Sequence, residues 1–581
     1  MKIKLLKKEF ILPDKATLSS KGEILEVGAT IYKKPVKSVL KHSTTAVYEI
    51  KCKAPGGTSE IFLDIKIPGV SSSNYNVITS GWHTWSGRET RSKDVGIYTV
   101  EEKLAKEKTV FVVEPGSGER PISKNSALSY GFVNFREKNN ASNLFVGLIP
   151  SLTETEDIVF TFKNGDLHLQ TRKYLENVDK QRDISFNLLL GEGRYIDLVW
   201  QYGAELAKLN TDIKPTKNRA MWFTWAAYGK GVTQKNVSGE LQYLKEIGID
   251  TLIIDDGWQK IIGQWEINLA RFPDMVGLVE EMKRNGIKPG IWIAPFMTMK
   301  ESENYNLHPE WFIRDKNRRL INVSNPQVQP TGEVRPILEK ARGLDISIKE
   351  VREILYQDFV NLVKVGFEVF KVDFASIPFM GVLQNKEKTS VEYYRQFFKE
   401  LRERVRGQTG KDIEIIGSGA PMLESIGLFE GIRVSPDSAS PNFETLPFYG
   451  GILKTTKYIP ILGNIVKMVQ KKIDSNMYED ALAVAGRRAV IFGKSMGLFV
   501  DGIHLSDPKI RIDKEEKQKV IEALPAFKGM GLLTNIFVGD SLERSGKKGI
   551  KKWKNFIEKF KVGEKAWIEE KTGHVLVEDK K

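Results

Sequence analysis

The chain has 581 residues and a formal net charge of +14, with 41% hydrophobic, 28% charged and 10% aromatic residues. This composition is typical of a globular protein and excludes an intrinsically disordered one. A single cysteine, Cys52, excludes an internal disulfide framework, and the six histidines have no His-x-x-x-His spacing, which argues against a zinc enzyme. The lysines are interspersed with glutamates, so we interpret the charge as a solvated surface, also typical of heat-tolerant proteins, and expect no nucleic-acid partner.

No targeting or membrane segment is predicted. The first residues are basic but lack the apolar core of about 7–15 residues that a signal peptide needs. No run of about 18 uncharged apolar residues exists, which argues against a membrane span and a membrane partner. We therefore expect a cytoplasmic protein, and the sequence leaves a homo-oligomer open.

Short runs before residue 205 alternate between apolar and polar side chains. Tyr48, Ile50 and Cys52 are separated by charged residues, and the same period of two recurs over Ile61–Ile67. Such alternation predicts strands with one buried face. Ile158–Gln170 is typical of a hairpin, because its Asn-Gly pair tolerates the positive φ of a type I′ turn. We therefore predict a large antiparallel sandwich, followed by a linking helix that starts near residue 195.

The period changes after residue 215, where apolar runs alternate with helices. The predicted strands are Ala220–Trp225, Thr251–Ile254, Pro289–Pro295, Glu368–Phe374, Ile413–Ile416, Ile432–Val434, Gly497–Val500 and Thr534–Val538. The predicted helices are Thr233–Ile247, Met275–Asn285, Ser347–Val365 with Ser347 as N-cap, Val391–Val405 and Lys548–Phe560. Eight strands with crossover helices are the count of a (β/α)8 barrel. A doubly wound open sheet is the alternative, but no Gly-x-Gly-x-x-Gly follows the first strand.

Charged and aromatic residues recur at the ends of these strands. In a (β/α)8 barrel the active site lies at the carboxyl ends of the strands. The residues there are Asp255, Asp256, Trp258, Trp292, Lys371, Asp373, Ser418, Arg433 and Asp437. Paired carboxylates can act as nucleophile and general acid/base, while other polar groups hold a polyol. Any single aspartate here could instead be a turn residue or a helix N-cap.

The motifs around these residues resemble those of the α-galactosidases of glycoside hydrolase family 36. They are IIDDGW, PGIWIAPF, FKVDF, IGSGAP and RVSPDSA, with GWHTWSG, MWFTWAAY and HPEW as further matches. The resemblance runs from about residue 80 to 540. It implies an N-terminal β-supersandwich over 1–207, a catalytic (β/α)8 TIM barrel over 208–562 and a short C-terminal β segment over 563–581.

The resemblance also implies a role for each site residue. Asp373 would be the nucleophile and Asp437 the general acid/base. The remaining positions would bind substrate. Asp255 and Asp256 would hold the 4- and 6-hydroxyls of galactose, and Lys371 and Arg433 would hydrogen-bond ring hydroxyls. Trp292 would face the sugar, Ser418 would lie near the 2-substituent, Trp82 would close the pocket from the N-terminal domain, and Trp258 would line the same pocket. Many bacterial members have cysteine where this chain has Ser418, so the resemblance leaves open whether the enzyme prefers a 2-hydroxyl or a 2-acetamido group.

These assignments imply a retaining, exo-acting α-galactosidase that acts on α-galactoside oligosaccharides without a metal or cofactor. Lys371 is expected to favour the ionised form of Asp373, and a neighbouring carboxylate is expected to raise the pKa of Asp437. A galactosyltransferase of the raffinose-synthase type and an α-N-acetylgalactosaminidase remain open on the same site. An α-glucosidase or α-xylosidase, a non-catalytic sugar-binding protein and a metal-dependent phosphate enzyme are more distant alternatives.

Overall fold

The structure is a computed structural model, and it describes most of the chain. The described residues are 1–4, 8–20, 22–34, 43–79, 126–137, 142–216, 219–315, 317–321, 323, 326–328, 334–336, 341–434, 496–508, 534–562, 566–568 and 575–577. None of the helices in these ranges is long and apolar enough to span a membrane.

Two antiparallel sheets form the N-terminal part. Their strands are β1 (Lys2–Lys4), β2 (Glu9–Ile11), β3 (Lys15–Ser20), β4 (Glu23–Gly28), β5 (Thr30–Lys34), β6 (Thr44–Ala54), β7 (Thr58–Ile67), β8 (Tyr75–Thr79), β9 (Ser126–Ser129), β10 (Phe132–Glu137), β11 (Asn143–Leu148), β12 (Thr155–Lys163), β13 (Asp166–Tyr174) and β14 (Arg182–Gly193). One sheet has eight strands along the path β1-β2-β7-β13-β12-β9, with β3 and β4 beside it, and the other has six in the order β5-β6-β14-β11-β10-β8.

The two sheets pack face to face because their alternating side chains share one core. A single buried cluster contains Ile50 from β6 and Ile65 from β7, so both inner faces contribute to it. The predicted alternation is confirmed, since Tyr48, Ile50 and Cys52 are buried while the residues between them are more exposed. The predicted hairpin is confirmed as well, with Lys163 paired to Asp166 across the Asn-Gly turn.

Eight parallel strands close into a barrel in the middle of the chain, as predicted. They are β15 (Ala220–Phe223), β16 (Thr251–Ile254), β19 (Lys288–Ile293), β24 (Val369–Val372), β25 (Glu414–Gly417), β26 (Gly431–Val434), β27 (Gly497–Ile503) and β28 (Thr534–Val538). The barrel closes because β28 pairs in parallel with β15. The other strands form short antiparallel pairs: β17 (Gln259–Ile261) with β18 (Gln264–Ile267), β20 (Met297–Thr298) with β23 (Arg342–Gly343), β21 (Pro326–Val328) with β22 (Val334–Pro336), and β29 (Ala566–Ile568) with β30 (Val575–Val577).

The described helices are α1 (Tyr195–Ala207), α2 (Thr224–Tyr228), α3 (Gln234–Glu246), α4 (Met275–Arg284), α5 (Glu303–Leu307), α6 (Lys349–Val365), α7 (Ser390–Thr409) and α8 (Leu542–Val562). Short 3-10 turns lie at Gly229–Gly231, Pro309–Trp311 and Ile377–Phe379. Within the described residues, α3, α4, α6, α7 and α8 pack on the barrel, and their buried apolar residues belong to the same large cluster as the strands.

Two predicted boundaries differ from the structure. The first barrel strand ends at Phe223 because α2 begins at the next residue. Ser347 is not the N-cap of α6, since its hydroxyl donates to Asp345 Oδ1 at 2.6 Å and Ile348 occupies the N-cap position. The predicted last helix, Lys548–Phe560, is confirmed, because the part of α8 that follows Gly546 contains it; Gly546, at a non-helical φ of 62°, separates this part from a short helical turn that starts at Leu542.

Candidate active site

An apolar layer inside the barrel determines which strand residues reach its mouth. Seven buried side chains form this layer together with Ala226: Met221, Phe223, Ile253, Val369, Ile416, Phe499 and Phe537. Because side chains alternate along a strand, the residues two positions after this layer point to the same interior side. Asp255, Lys371 and Ser418 stand two positions after Ile253, Val369 and Ile416. They therefore lie together above the layer, at the carboxyl end of the barrel.

Asp373 is a buried carboxylate with a donor on each oxygen. Its Oδ2 accepts a hydrogen bond of 2.9 Å from the indole Nε1 of Trp292. Its Oδ1 accepts one of 3.0 Å from the backbone N–H of Phe374. Phe374 has a φ of 52°, a left-handed conformation that is unusual for a bulky residue and is found most often at functional sites. The carboxylate is therefore fixed in orientation by a tryptophan on β19 and by the turn that follows β24.

Asp255 and Lys371 form a buried ion pair beside Asp373. The Lys371 ammonium donates to Asp255 Oδ2 at 2.7 Å and lies 5.0 Å from the ring centroid of Phe223. Burial raises the pKa of Asp255 to about 6; the Lys371 ammonium opposes this rise, and the Asp373 carboxylate adds to it. Lys371 thus contacts one candidate sugar-binding aspartate directly, a pairing that the sequence did not predict.

Asp256 lies next to Asp255 and is contacted by two residues that the sequence reasoning missed. Gln259 donates from Nε2 to Asp256 Oδ1 at 2.6 Å, and Lys230 Nζ lies 3.3 Å from Asp256 Oδ2. The backbone N–H of Asp256 donates to Asp255 Oδ1 at 2.9 Å. Asp255 is positioned in turn by its own N–H, which donates to Thr224 at 2.8 Å. The consecutive aspartates, which follow β16, are thus held by Thr224 at the start of α2, by Lys230 in the 3-10 turn and by Gln259 on β17.

Three tryptophans form the wall behind Asp373. Trp292 is buried on β19 with its N–H directed to the carboxylate. Trp258 is fully buried, and its Nε1 donates to the Trp292 carbonyl at 2.8 Å, so in this structure Trp258 supports Trp292. Trp265 on β18 stacks on Trp258 with a centroid distance of 6.2 Å and meets Trp292 edge-on at 5.8 Å. Sequence reasoning did not single out Trp265, which follows the motif residues on a hairpin.

Ser418 and Arg433 complete the described part of the site. Ser418 follows β25 and is fully buried, and its hydroxyl has no hydrogen-bond partner among the described residues. Arg433 is buried on β26, where it pairs in register with Phe499 of the interior layer, so it faces the barrel interior. Both side chains therefore reach the same space as the aspartates.

Two predicted site residues, Asp437 and Trp82, lie outside the described residues. The described site thus contains Asp255, Asp256, Trp292, Lys371 and Asp373, together with Trp258, Ser418 and Arg433. Among the described residues, no group of three or more histidine, cysteine, aspartate or glutamate side chains could hold a metal ion. The described arrangement consists of carboxylates, cations and indoles, which is suited to binding a polyhydroxy ring.

Comparison with known proteins shows that the barrel region is similar to that of proteins that act on sugars. The family described as Melibiase matches residues 207–361. The bifunctional α-galactosidase/sucrose kinase AgaSK of Mediterraneibacter gnavus is 27% identical over 136 residues, which are 22% of this chain and 12% of that protein. The A type blood α-D-galactosamine galactosaminidase of Flavonifractor plautii is 28% identical over 170 residues, which are 28% of this chain and 15% of that protein. The chain thus aligns with well under a quarter of the length of these relatives.

A solved structure resembles nearly the whole chain. TtGalA, an α-galactosidase from Thermus thermophilus solved in complex with p-nitrophenyl α-D-galactopyranoside, superposes with a TM-score of 0.61 and covers 94% of both chains. The two sequences are 17% identical over the superposed region. The likeness therefore establishes a shared fold, in which antiparallel sheets precede a parallel barrel.

Proposed function

We propose that this chain, as a member of glycoside hydrolase family 36, hydrolyses terminal α-D-galactosyl residues of oligosaccharides. The observation that carries this proposal is the environment of Asp373. Its two oxygens are held by Trp292 and Phe374, and a buried Asp255–Lys371 pair lies beside it. A fixed carboxylate among polyol-binding groups has the chemistry required of a glycosidase nucleophile.

The proposed mechanism is a double displacement with retention of configuration. A carboxylate oxygen of Asp373 attacks the anomeric carbon, and the bond from that carbon to the leaving oxygen breaks as Asp437 donates a proton to it. Asp437 then takes a proton from water, whose oxygen attacks the anomeric carbon and releases Asp373. The role of Asp437 rests on its motif, and the scheme requires the two carboxyl groups to be about 5–5.5 Å apart.

Exo action is part of the same proposal. The described site residues are buried within the carboxyl end of the barrel, which favours a pocket that receives a terminal sugar. Asp255 and Asp256 are consecutive in the chain, and both carboxylates can accept hydrogen bonds from adjacent hydroxyls of one ring. An internal sugar of an oligosaccharide would have to bring the sugars attached to it into this buried space, whereas a terminal sugar would not.

The test is hydrolysis of an aryl α-D-galactoside by the wild type and by Asp373→Ala. We expect the wild type to cleave the galactoside faster than the α-glucoside, and the variant to be at least about a thousandfold slower. Added azide should partly restore the variant and give the β-galactosyl azide, because the small anion attacks from the face that Asp373 vacates. Asp412→Ala, at an exposed aspartate paired with Arg406, is the control and should keep full activity. Full activity in Asp373→Ala contradicts the assignment.

An α-N-acetylgalactosaminidase is the second candidate on the same site. It is favoured by one observation, the buried hydroxyl of Ser418, which has no partner among the described residues and is free to bind a substituent at the 2-position. The relative from Flavonifractor plautii is named a galactosaminidase. The rates on aryl α-galactoside and on its 2-acetamido analogue separate the two functions directly.

A further inference from the structure

Asp256 lies at the border between the buried site and the solvent. Its carboxylate is held on one oxygen by Gln259, which is itself buried. On the other oxygen it meets Lys230, whose side chain is 53% exposed while that of Asp256 is 11% exposed. The ammonium therefore reaches the site from the rim, and it is close enough to the carboxylate to bind the same small group.

The position of Lys230 is determined by its backbone. Gly257 has a φ of 122°, and a Cβ at this position would lie 2.6 Å from the Lys230 carbonyl oxygen. Arg271 joins the two segments, because it donates to the Lys230 carbonyl and, at 3.3 Å, to the Gly257 carbonyl. The glycine thus allows the turn that carries Lys230 to pack directly against the Asp-Asp-Gly segment. The Lys230 side chain starts from a fixed point beside Asp256.

We propose that Lys230 is a specificity-determining residue that recognises, together with Asp256, the hydroxymethyl group at C5 of the galactosyl ring. This inference rests on the proposed function. An ammonium can only donate hydrogen bonds and a carboxylate can only accept them, whereas a hydroxyl does both. A hydroxyl placed between Lys230 and Asp256 accepts from the first and donates to the second, so both charged groups are satisfied by one substituent.

The geometry favours the hydroxymethyl group over the ring hydroxyls for this position. Asp255 is almost fully buried, and its ammonium partner Lys371 is buried as well, so this pair is rigid. Such a pair suits a hydroxyl whose direction is fixed by the ring, as the axial 4-hydroxyl is. Lys230 is flexible and half-exposed, which suits a group that rotates about the C5–C6 bond. The two aspartates thus divide the recognition of galactose between a rigid and an adaptable partner.

The test compares two aryl glycosides, the α-D-galactopyranoside and the β-L-arabinopyranoside. The arabinoside has the same arrangement of ring hydroxyls but lacks the C5 hydroxymethyl group. We expect Lys230→Met to lower kcat/KM on the galactoside roughly ten- to a hundredfold, as expected for a lost hydrogen bond from a charged group, and on the arabinoside less than about twofold. Lys230→Arg should recover most of the loss, since its guanidinium also donates.

Lys260→Met is the matched control. Lys260 is 57% exposed and pairs with Glu266 on the neighbouring β17–β18 hairpin, and its removal should leave both rates unchanged. An equal loss on both glycosides in Lys230→Met would mean that Lys230 acts only through the shape of the pocket, and it would overturn the proposal, as would no loss on either. A wild type that fails on the galactoside would instead contradict the proposed function itself. Thermal unfolding of each variant separates these outcomes from a folding defect.

Discussion

Asp373 depends on contacts from two different strands of the barrel. The indole N–H of Trp292 comes from β19, and the backbone N–H of Phe374 follows β24 itself. Both donors stabilise negative charge on the carboxylate, and together they fix its orientation. The orientation and charge of the candidate nucleophile therefore depend on these two neighbours as well as on its own place in the chain.

Trp292→Phe tests this dependence because it keeps the aromatic ring and removes the donor. We expect kcat on an aryl α-galactoside to fall roughly ten- to a hundredfold, as expected for loss of a hydrogen bond to a charged group. Trp265→Phe is the matched control: its indole N–H is buried and has no partner among the described residues, so its removal should change kcat less than about twofold. Equal effects of the two substitutions would mean that ring packing, and not the hydrogen bond, positions Asp373.

The strands and helices of the barrel could be predicted far better than the contacts between them. The bounds of β16 and β28 match the prediction, because short apolar runs bounded by polar residues have few alternative structures. The start of α6 was wrong because Asp345 captures the Ser347 hydroxyl, a competition that depends on the fold. Local pattern therefore defines an element, while the surrounding structure determines its ends.

The site could be predicted only in part for the same reason. Asp255 and Lys371 were identified from the ends of their strands, but their pairing depends on the curvature of the closed barrel. Lys230 carries no local signal, since its approach to Asp256 requires the positive φ of Gly257 and the packing of a separate turn. Site residues that directly follow a strand can be predicted from their position in the sequence. Site residues that a separate turn brings close, such as Lys230, can be identified only from the three-dimensional structure.

The helix α6 contains a carboxylate that is expected to make the stability of the protein depend on pH. Burial raises the pKa of Asp358 to about 7, and no hydrogen bond or ion pair satisfies it among the described residues. It lines a small cavity with Trp265 and Trp311. Because the pKa is raised in the folded state, the stabilisation from the bound proton is complete below about pH 4 and is lost as the pH rises through 7.

Asp358→Asn is therefore expected to stabilise the protein in alkaline solution. The neutral amide removes the cost of the buried charge, so the free energy of unfolding at pH 8 should rise by about 2 kcal/mol, with a clearly smaller rise at pH 5, where only part of the stabilisation has been lost. Urea unfolding at both pH values measures the difference. Glu353→Gln, at an exposed residue of the same helix paired with Arg404, should show no such pH dependence. A variant destabilised equally at both pH values would indicate that Asp358 has a partner in solution.

At the scale of the whole molecule, the N-terminal sheets and the barrel meet at the start of α7. Glu176 accepts hydrogen bonds from the backbone N–H and the hydroxyl of Ser390, at 3.0 and 2.6 Å, and so caps a helix of the other part. Arg182 contacts Glu154 within the sheets and Glu392 on the helix. These contacts join the two parts through charged groups rather than through apolar surface alone.

Glu176→Ala should weaken this joint. Losing the cap should lower the free energy of unfolding by about 1–2 kcal/mol, and the calorimetric unfolding transition should broaden or divide as the two parts unfold less cooperatively. Glu26→Ala is the control, because its ion pair with Lys15 is solvent-exposed and its loss should leave the transition unchanged. An unchanged transition in Glu176→Ala would mean that other contacts alone hold the parts together.

The left-handed conformation of Phe374 has a consequence for attempts to make the protein more heat-resistant. A bulky residue at a φ of 52° stores roughly 1–3 kcal/mol of backbone strain next to the candidate nucleophile. A library selected for thermal survival alone would therefore favour glycine or asparagine at this position, since either relieves the strain. Such clones would gain heat resistance while loosening the turn that aims Asp373, so selection here has to reward turnover as well as survival.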